Sequence, residues 1–293
     1  MTNTTKGVLN LVQVVGLDEL MIRILKHPKL KKLMLSHAWD RRHYHSFLDQ
    51  YKIWRQLLID CGINLAGRRV LDIGAGGSIG LGYFFWSDGI QSWTATDYFK
   101  DFLANRRELL REKKLITAVA QNFCPTITDH IKIDGDDIVF DEAFNFKSLD
   151  VTVLDKDLIG GYDLILTSAV LEHIPADKAE DAVINMMAYL APGGIMMHEI
   201  DLRDHINMAN PLNFLRYSAS EWNKLTGDSI FYTNRLRIND WLKCFDHHGL
   251  KVVHQSVERV DQSKIPPKVA ADFSPYKIDD LTGTRIMIIL QKI

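Results

Sequence analysis

The chain has 293 residues, of which 46% are apolar and 25% charged, and its formal net charge is −2. This composition fits a globular protein with one large domain, and the charge disfavours nucleic acid as a partner, because phosphate backbones bind basic surfaces. No apolar run reaches the ~20 residues that span a bilayer. We expect a cytoplasmic protein, since its three cysteines are widely spaced and suit a reducing compartment.

Residues 1–66 are predicted to form a helical cap. Apolar residues recur at helical spacing between positions 9 and 25, and an aromatic series follows the same spacing between positions 37 and 63. The remainder, 67–293, is predicted to be a single domain that carries an insertion at 206–236.

From residue 67 onward, short apolar strands alternate with amphipathic helices. Strands are predicted at 69–73, 91–96, 144–149, 162–167, 195–200, 250–260 and 285–290. Helices are predicted at 78–86, 99–114, 176–190 and 239–248, and no element is assigned to 115–143. The alternation indicates an α/β fold with a doubly wound, mostly parallel sheet. The last two strands lack a crossover helix between them, so they are expected to form an antiparallel pair.

The first predicted strand ends in a glycine-rich turn, Val-Leu-Asp-Ile-Gly-Ala-Gly-Gly at 70–77. Glycines there permit positive φ and let backbone N–H groups approach a nucleotide-like ligand. Asp72 would orient the loop or meet a ligand ammonium group through water. The same motif also fits a tight strand–helix connection without a ligand.

Three later positions follow predicted strands at the same edge of the sheet. Asp97 could accept hydrogen bonds from both hydroxyls of a ribose, which would serve NAD equally well, or it could cap the next helix. Asp150 could accept from an adenine amine while Val151 packs on the ring, or Asp150 could simply form a turn. The segment 168–174 follows the fourth strand, where chemistry takes place in open α/β sheets.

In these motifs the chain resembles the class I S-adenosylmethionine (SAM)-dependent methyltransferases. The matching segments are the glycine turn, Asp97, the run Tyr-Asp-Leu-Ile-Leu-Thr-Ser-Ala-Val-Leu-Glu-His-Ile and the turn Leu-Ala-Pro-Gly-Gly, all within about 69–200. Ser78 stands where many members carry a third glycine. The resemblance implies a seven-stranded sheet, SAM as the cofactor, and cofactor contacts at Asp72, Gly74, Ala75, Gly76, Asp97, Tyr98, Asp150, Val151, Ser168 and Ala169.

The resemblance also bears on metal binding. Quinone-type O-methyltransferases carry Glu-x-x-Glu-His after the fourth strand, but this chain has Ala169 at the first position, so only Glu172 and His173 remain. Two adjacent ligands make a poor divalent site, and no metal is expected. His173 is a candidate catalytic residue, although a structural role at the helix start is the stronger alternative.

The segment 198–205 contains six ionisable side chains at the end of the fifth strand. Transfer of a methyl group to a hydroxyl requires removal of a proton, which His205 or His198 could accept with Asp201 or Asp204 as the orienting carboxylate. Asp201 and His205 are favoured because they lie nearer the carboxyl end of the strand. Two alternatives are a loop held by an Asp–Arg pair and a His-Asp-His metal site.

The insertion 206–236 interleaves amides, guanidinium groups and aromatic rings, which suits a sugar-like acceptor or else a helical lid that packs through its aromatics. The run Thr-Asn-Arg-Leu-Arg at 233–237 resembles bacterial methyltransferases of sugar or secondary metabolism. We therefore predict O-methylation of a small, sugar-like molecule, with N-methylation of an amine as an alternative. A nicotinamide-dependent oxidoreductase and a catalytically silent cofactor-binding protein are alternatives of other classes. The oligomeric state is not predicted.

Overall fold

The structure is a computed structural model that describes residues 43–98, 103, 105–135, 137–227 and 232–293. Of the predicted N-terminal cap, the described part contains helix α1 (Tyr44–Asp60), and the helices predicted before residue 43 lie outside the described residues. Within the described ranges, no helix is both long and apolar enough to cross a bilayer.

The predicted seven-stranded, mostly parallel sheet is confirmed. Its strand order is β5-β2-β1-β6-β7-β9-β8, in which the first five strands are parallel and β9 runs antiparallel to both of its neighbours. The strands are β1 (Arg69–Ile73), β2 (Ser92–Asp97), β3 (Ile131–Asp134), β4 (Asp137–Phe140), β5 (Phe144–Ser148), β6 (Tyr162–Ser168), β7 (Leu190–Asp201), β8 (Leu250–Arg259) and β9 (Gly283–Lys292). The parallel arrangement brings the carboxyl ends of β1, β2, β5, β6 and β7 to one edge.

The central strand β6 shows why a continuous apolar run in the sequence predicts a strand of this sheet. Leu164, Ile165 and Leu166 are consecutive and completely buried, because helices cover both faces of the sheet. The helices after α1 are α2 (Gly80–Phe85), α3 (Arg106–Asn122), α4 (Ala179–Tyr189), α5 (Ala219–Thr226), α6 (Ile238–His247) and α7 (Ile278–Leu281).

The predicted helix at 99–114 is wrong in its bounds. Residues 99–102 and 104 lie outside the described residues, and α3 begins after Asn105, whose side chain accepts hydrogen bonds from the backbone of Arg107 and Glu108. It continues to Asn122 because Leu115, Ile116 and Val119 extend its buried face.

A hairpin of β3 and β4 occupies part of the stretch to which the sequence assigned no element. These two strands form their own antiparallel sheet, and Gly135, with φ +52°, lies at its turn. In β4, exposed residues alternate with half-buried ones. This alternation is too weak for the strand to be recognised from the sequence.

Helix α1 packs closely on α2 beside the glycine turn. The side chain of Phe47 lies so near Gly80 that a Cβ there would fall 2.5 Å from the ring, and Tyr51 contacts Phe85 edge-on at a centroid distance of 5.1 Å. Helix α1, the described part of the predicted cap, is thus anchored beside the glycine turn that follows β1.

Candidate functional site

The glycine turn after β1 lies against the loop after β6. The backbone N–H groups of Gly74 and Ala75 both donate to the Thr96 carbonyl, at 2.8 and 2.9 Å. Gly74 has φ +79°, and a Cβ on it would overlap the side chain of Val170. Only glycine fits at this position, because both the backbone conformation and the contact with Val170 exclude a side chain.

Asp97 lies at the end of β2 and supports the same turn. Its buried carboxylate accepts a hydrogen bond from the backbone N–H of Gly76 at 2.7 Å. Asp72 is also buried, on β1, and Tyr98 is exposed. The structure therefore brings the candidate cofactor residues of β1 and β2 together around one turn. One carboxylate oxygen of Asp97 is hydrogen-bonded to the backbone of that turn.

Glu112 is a further supporting residue that the sequence analysis missed. Its buried carboxylate accepts from Ser78 Oγ at 2.8 Å, from the Ile79 N–H at 3.2 Å and from Tyr83 Oη at 2.6 Å. Burial raises the pKa of Glu112, against the lowering effect of these hydrogen bonds. The sequence contains a signal for this role, because Glu112 shares the helical face of Leu115, Ile116 and Val119. A charged side chain on an apolar, buried face is rare unless it has a bonding partner.

Asp150 forms a turn after β5. Its Oδ1 accepts from the backbone N–H of Thr152 at 2.9 Å and from the hydroxyl of Thr152 at 2.7 Å. Val151 is buried, and its carbonyl accepts from Asn185 Nδ2 at 2.9 Å. The turn-forming role that the sequence left open is present, and it fixes Asp150 and Val151 at the sheet edge that carries Asp97.

The end of β6 has an unusual backbone. Ala169 has φ +52°, a region that non-glycine residues rarely adopt, and its N–H donates to the Glu199 carbonyl at 3.0 Å. Ser168 Oγ donates to the Glu199 carboxylate at 3.2 Å. This conformation turns the chain from the central strand toward Val170 and the glycine turn, and such strain concentrates at functional sites.

Glu172 and His173 follow this turn in a buried setting. Neither carboxyl oxygen of Glu172 has a well-formed hydrogen bond among the described residues, and burial, reinforced by the charge of Asp201, raises its pKa well above the ordinary value. His173 Nδ1 donates to the Tyr232 carbonyl at 2.8 Å. Burial, with a smaller effect of His205, lowers the pKa of His173 to about 4. A neutral His173 that donates through Nδ1 carries its lone pair on Nε2.

Asp201 and His205 are brought together, as expected, but Arg203 joins them. Arg203 donates to both carboxylate oxygens of Asp201, at 2.8 and 2.5 Å, so the Asp–Arg pair that was an alternative is present. His205 Nε2 lies 3.4 Å from Asp201 Oδ2, and the His205 ring is 5.0 Å from that of His173. Burial opposes ionisation of Asp201, but the hydrogen bonds of Arg203 and then of His205 hold its pKa well below the ordinary value.

His198, the alternative base, lies in the core. It is fully buried on β7, its ring stacks on Phe245 at a centroid distance of 5.7 Å, and Nδ1 is hydrogen-bonded to Thr167 Oγ1 at 2.8 Å. Burial lowers the pKa of His198 to about 3. It points away from the polar cluster, because side chains alternate between the two faces of a strand.

Many residues of the insertion 206–236 pack in the protein interior. Phe214 and Trp222 are buried in a small core of their own, so for these two rings the alternative of a lid that packs through its aromatics is the one present. Asn234 is also structural, since its amide donates to the carbonyls of Leu171 and Ile174. Arg235 stacks over Trp222 with its guanidinium carbon 5.6 Å from the ring. Residue 231 lies outside the described residues.

Other polar residues of the insertion line an open groove of about 550 Å³. Asn210, Asn213 and Arg216 form one wall, and the segment 263–268 forms the other. Asn213 reaches Asp204 at 3.5 Å, and the Asp204 carboxylate also accepts from the backbone N–H of Asn207 at 2.9 Å. The groove is thus held next to the loop that carries His205.

A buried guanidinium joins the insertion to the sheet. Arg237 donates to the carbonyls of Leu202 and Leu281, each at 3.1 Å, to that of Asp280 at 3.2 Å, and to that of Gly283. Its pKa is lowered to about 10 by burial. Because Leu202 follows Asp201 directly, these bonds fix the end of β7, where the candidate orienting carboxylate lies.

The chain is similar to known methyltransferases. A family model described as a methyltransferase domain matches residues 44–255. A candidate sarcosine dimethylglycine methyltransferase from Galdieria sulphuraria superposes with a TM-score of 0.50 at 11% identity, covering 84% of this chain and 86% of that one. The N-methyltransferase NodS of Bradyrhizobium japonicum, solved with S-adenosylhomocysteine, gives 0.45 at 12% identity, covering 93% and 96%. No curated protein sequence matches the chain.

Proposed function

Since the chain belongs to the methyltransferase-domain family and is a SAM-dependent methyltransferase, we propose that it methylates a hydroxyl of a small, sugar-like acceptor. The observation that carries the proposal is the group formed by buried Asp201 and partly buried His205 and His173, at the end of β7 and in the loops that follow β6 and β7. A hydroxyl must lose its proton during transfer, and a carboxylate-oriented imidazole is the usual group for that step at neutral pH.

The residues at the β1 turn fit SAM. Gly74 and Gly76 present backbone without side chains, and the Asp97 carboxylate is buried at the end of β2, where ribose hydroxyls can be bound. Ser168 and Ala169 end β6 beside this turn, since Val170 touches Gly74. When bound, SAM supplies a methyl group activated by its sulfonium charge.

His205 is the proposed base. Its Nε2 lies 3.4 Å from the Asp201 carboxylate, and in the proposed reacting arrangement Nε2 donates its proton there, which would leave the lone pair on Nδ1 for the acceptor hydroxyl. Asp201 orients the ring, and it is itself a poor base because Arg203 keeps its pKa low. His173 packs against the His205 ring and limits its rotation.

The acceptor is proposed to enter along the groove beside this loop. Amide groups from Asn210 and Asn213 and the Arg216 guanidinium suit the hydroxyl and other oxygen groups of a carbohydrate. The groove adjoins the loop that Asp204 holds, and the proposed path runs along the surface of this loop toward His205.

The test is methyl transfer from SAM to a panel of monosaccharides, sugar phosphates and amino sugars. His205→Gln should lower kcat for a hydroxyl acceptor by about 10²–10⁴-fold, the usual contribution of a general base. Asp201→Asn should lower it less, and His254→Gln, on the edge strand β8, serves as the matched control. Unchanged rates in both site variants would remove the base assignment, and turnover of amines alone would favour N-methylation.

A further inference from the structure

A group of three possible metal ligands lies outside the candidate active site. His247 ends α6, His248 follows it, and Glu180 is in the first turn of α4. One ligand atom from each of these residues lies within 4.8 Å of the other two. We propose that the three side chains bind one divalent cation of the zinc class, with water as the remaining ligand.

The distances are close to those that a zinc ion needs. His248 Nε2 lies 2.9 Å from Glu180 Oε1, and the two histidine rings are nearly perpendicular with centroids 5.0 Å apart. Ligand bonds of about 2.0–2.2 Å in a tetrahedron separate donor atoms by roughly 3.4 Å. Glu180 and His247 are exposed, so both side chains can rotate to bring their ligand atoms to this separation without disturbing the core.

The donor set favours zinc over the hard cations. Two imidazole nitrogens and one carboxylate oxygen are one of the known ligand sets of three-residue zinc sites, whereas calcium and magnesium prefer oxygen ligands throughout. The Glu180–His248 contact alone would be an ordinary exposed ion pair, which contributes little to stability. The second imidazole adds nothing to such a pair, but it completes a chelate.

A cation at this position would link two helices. Glu180 belongs to α4, which follows the loop of Glu172 and His173, while His247 and His248 end α6, which leads into β8. The two helices otherwise join through side-chain packing in one shared core. Zinc should therefore raise thermal stability, and its effect does not depend on which acceptor the enzyme methylates.

The experiment is calorimetric titration of ZnCl₂ into the untagged full-length chain after chelator treatment, together with thermal unfolding with and without zinc. A saturable site and a higher Tm in zinc are expected. His247→Ala and Glu180→Gln should each weaken binding at least as much as the tenfold to hundredfold that loss of a supporting partner costs. Both variants should keep the zinc-free Tm of the wild type, because their side chains are exposed.

Two further variants make the result specific. His130 forms a similar surface pair with Asp141 at 2.7 Å, so His130→Ala is the matched control and should bind zinc normally. Cys244→Ser removes the thiol one turn before His247 and should also bind normally. Absence of saturable binding, or binding that survives both His247→Ala and Glu180→Gln, would overturn the proposal.

Discussion

The buried imidazole of His198 should make the protein less stable in acid by a predictable amount. The pKa of His198 is about 3 in the folded protein, because burial disfavours the imidazolium, whereas an unfolded chain has a histidine pKa of about 6.5. Between these values the unfolded state binds one more proton than the native state. The free energy of unfolding therefore falls as the pH is lowered from 6.5 toward 3.

The size of the effect follows from the two pKa values. Lowering the pH from 7.5 to 5 should cost about 2 kcal/mol through this residue alone. Other groups titrate in the same range, so the measurement compares the wild type with His198→Asn. Asparagine keeps an amide near Thr167 Oγ1 but has no proton to gain, so this contribution disappears from the pH dependence.

Urea unfolding at pH 7.5 and pH 5 measures the difference. The variant should be less stable at both pH values, because it leaves a cavity beside Phe245. Its loss of stability between the two pH values should be about 2 kcal/mol smaller than that of the wild type. Equal losses in the two proteins would refute the reasoning, since His198 would then titrate alike in the folded and unfolded states.

Three substitutions test the supports of the site. Tyr83→Phe removes the hydroxyl bonded to Glu112 and should cost about 1–3 kcal/mol in urea unfolding, because a buried carboxyl group loses one of its donors; an unchanged free energy of unfolding would contradict this support. Arg237→Leu leaves several buried carbonyls without a donor at about 1–3 kcal/mol each, and an unchanged Tm would contradict their dependence on this side chain. Gly74→Ala should weaken S-adenosylhomocysteine binding, measured by calorimetry, because the new Cβ displaces Val170; wild-type affinity would show that the loops tolerate separation.

The sheet could be predicted from sequence because its signals are local. Strands such as β6 are continuous apolar runs, and the missing crossover helix before β9 required an antiparallel ending. The hairpin of β3 and β4 could not be predicted in the same way, because it buries little and its pattern is weak. The start of α3 depended on one capping side chain, Asn105.

The site was less predictable because its polar contacts join residues that are distant in the chain. The positions of Asp97 and Ser168 follow from the strand ends, but the bonds of Glu112 to Ser78 and Tyr83 span 34 and 29 residues. The role of Arg237 is visible only in the folded chain, where four carbonyls from three segments, the end of β7, α7 and the start of β9, converge on it. In the insertion, Trp222 has the same sequence signature whether it binds a sugar or fills a core, and burial decides between them.

Calorimetric titration of S-adenosylhomocysteine, with NADH as the competing ligand, tests the cofactor assignment most directly. The wild type should bind S-adenosylhomocysteine at one site per chain and should not bind NADH, and Asp97→Asn should bind at least about tenfold more weakly because it loses charge-assisted hydrogen bonds to the ribose. Tight binding of NADH alone, or equal affinity of Asp97→Asn for S-adenosylhomocysteine, would contradict the account.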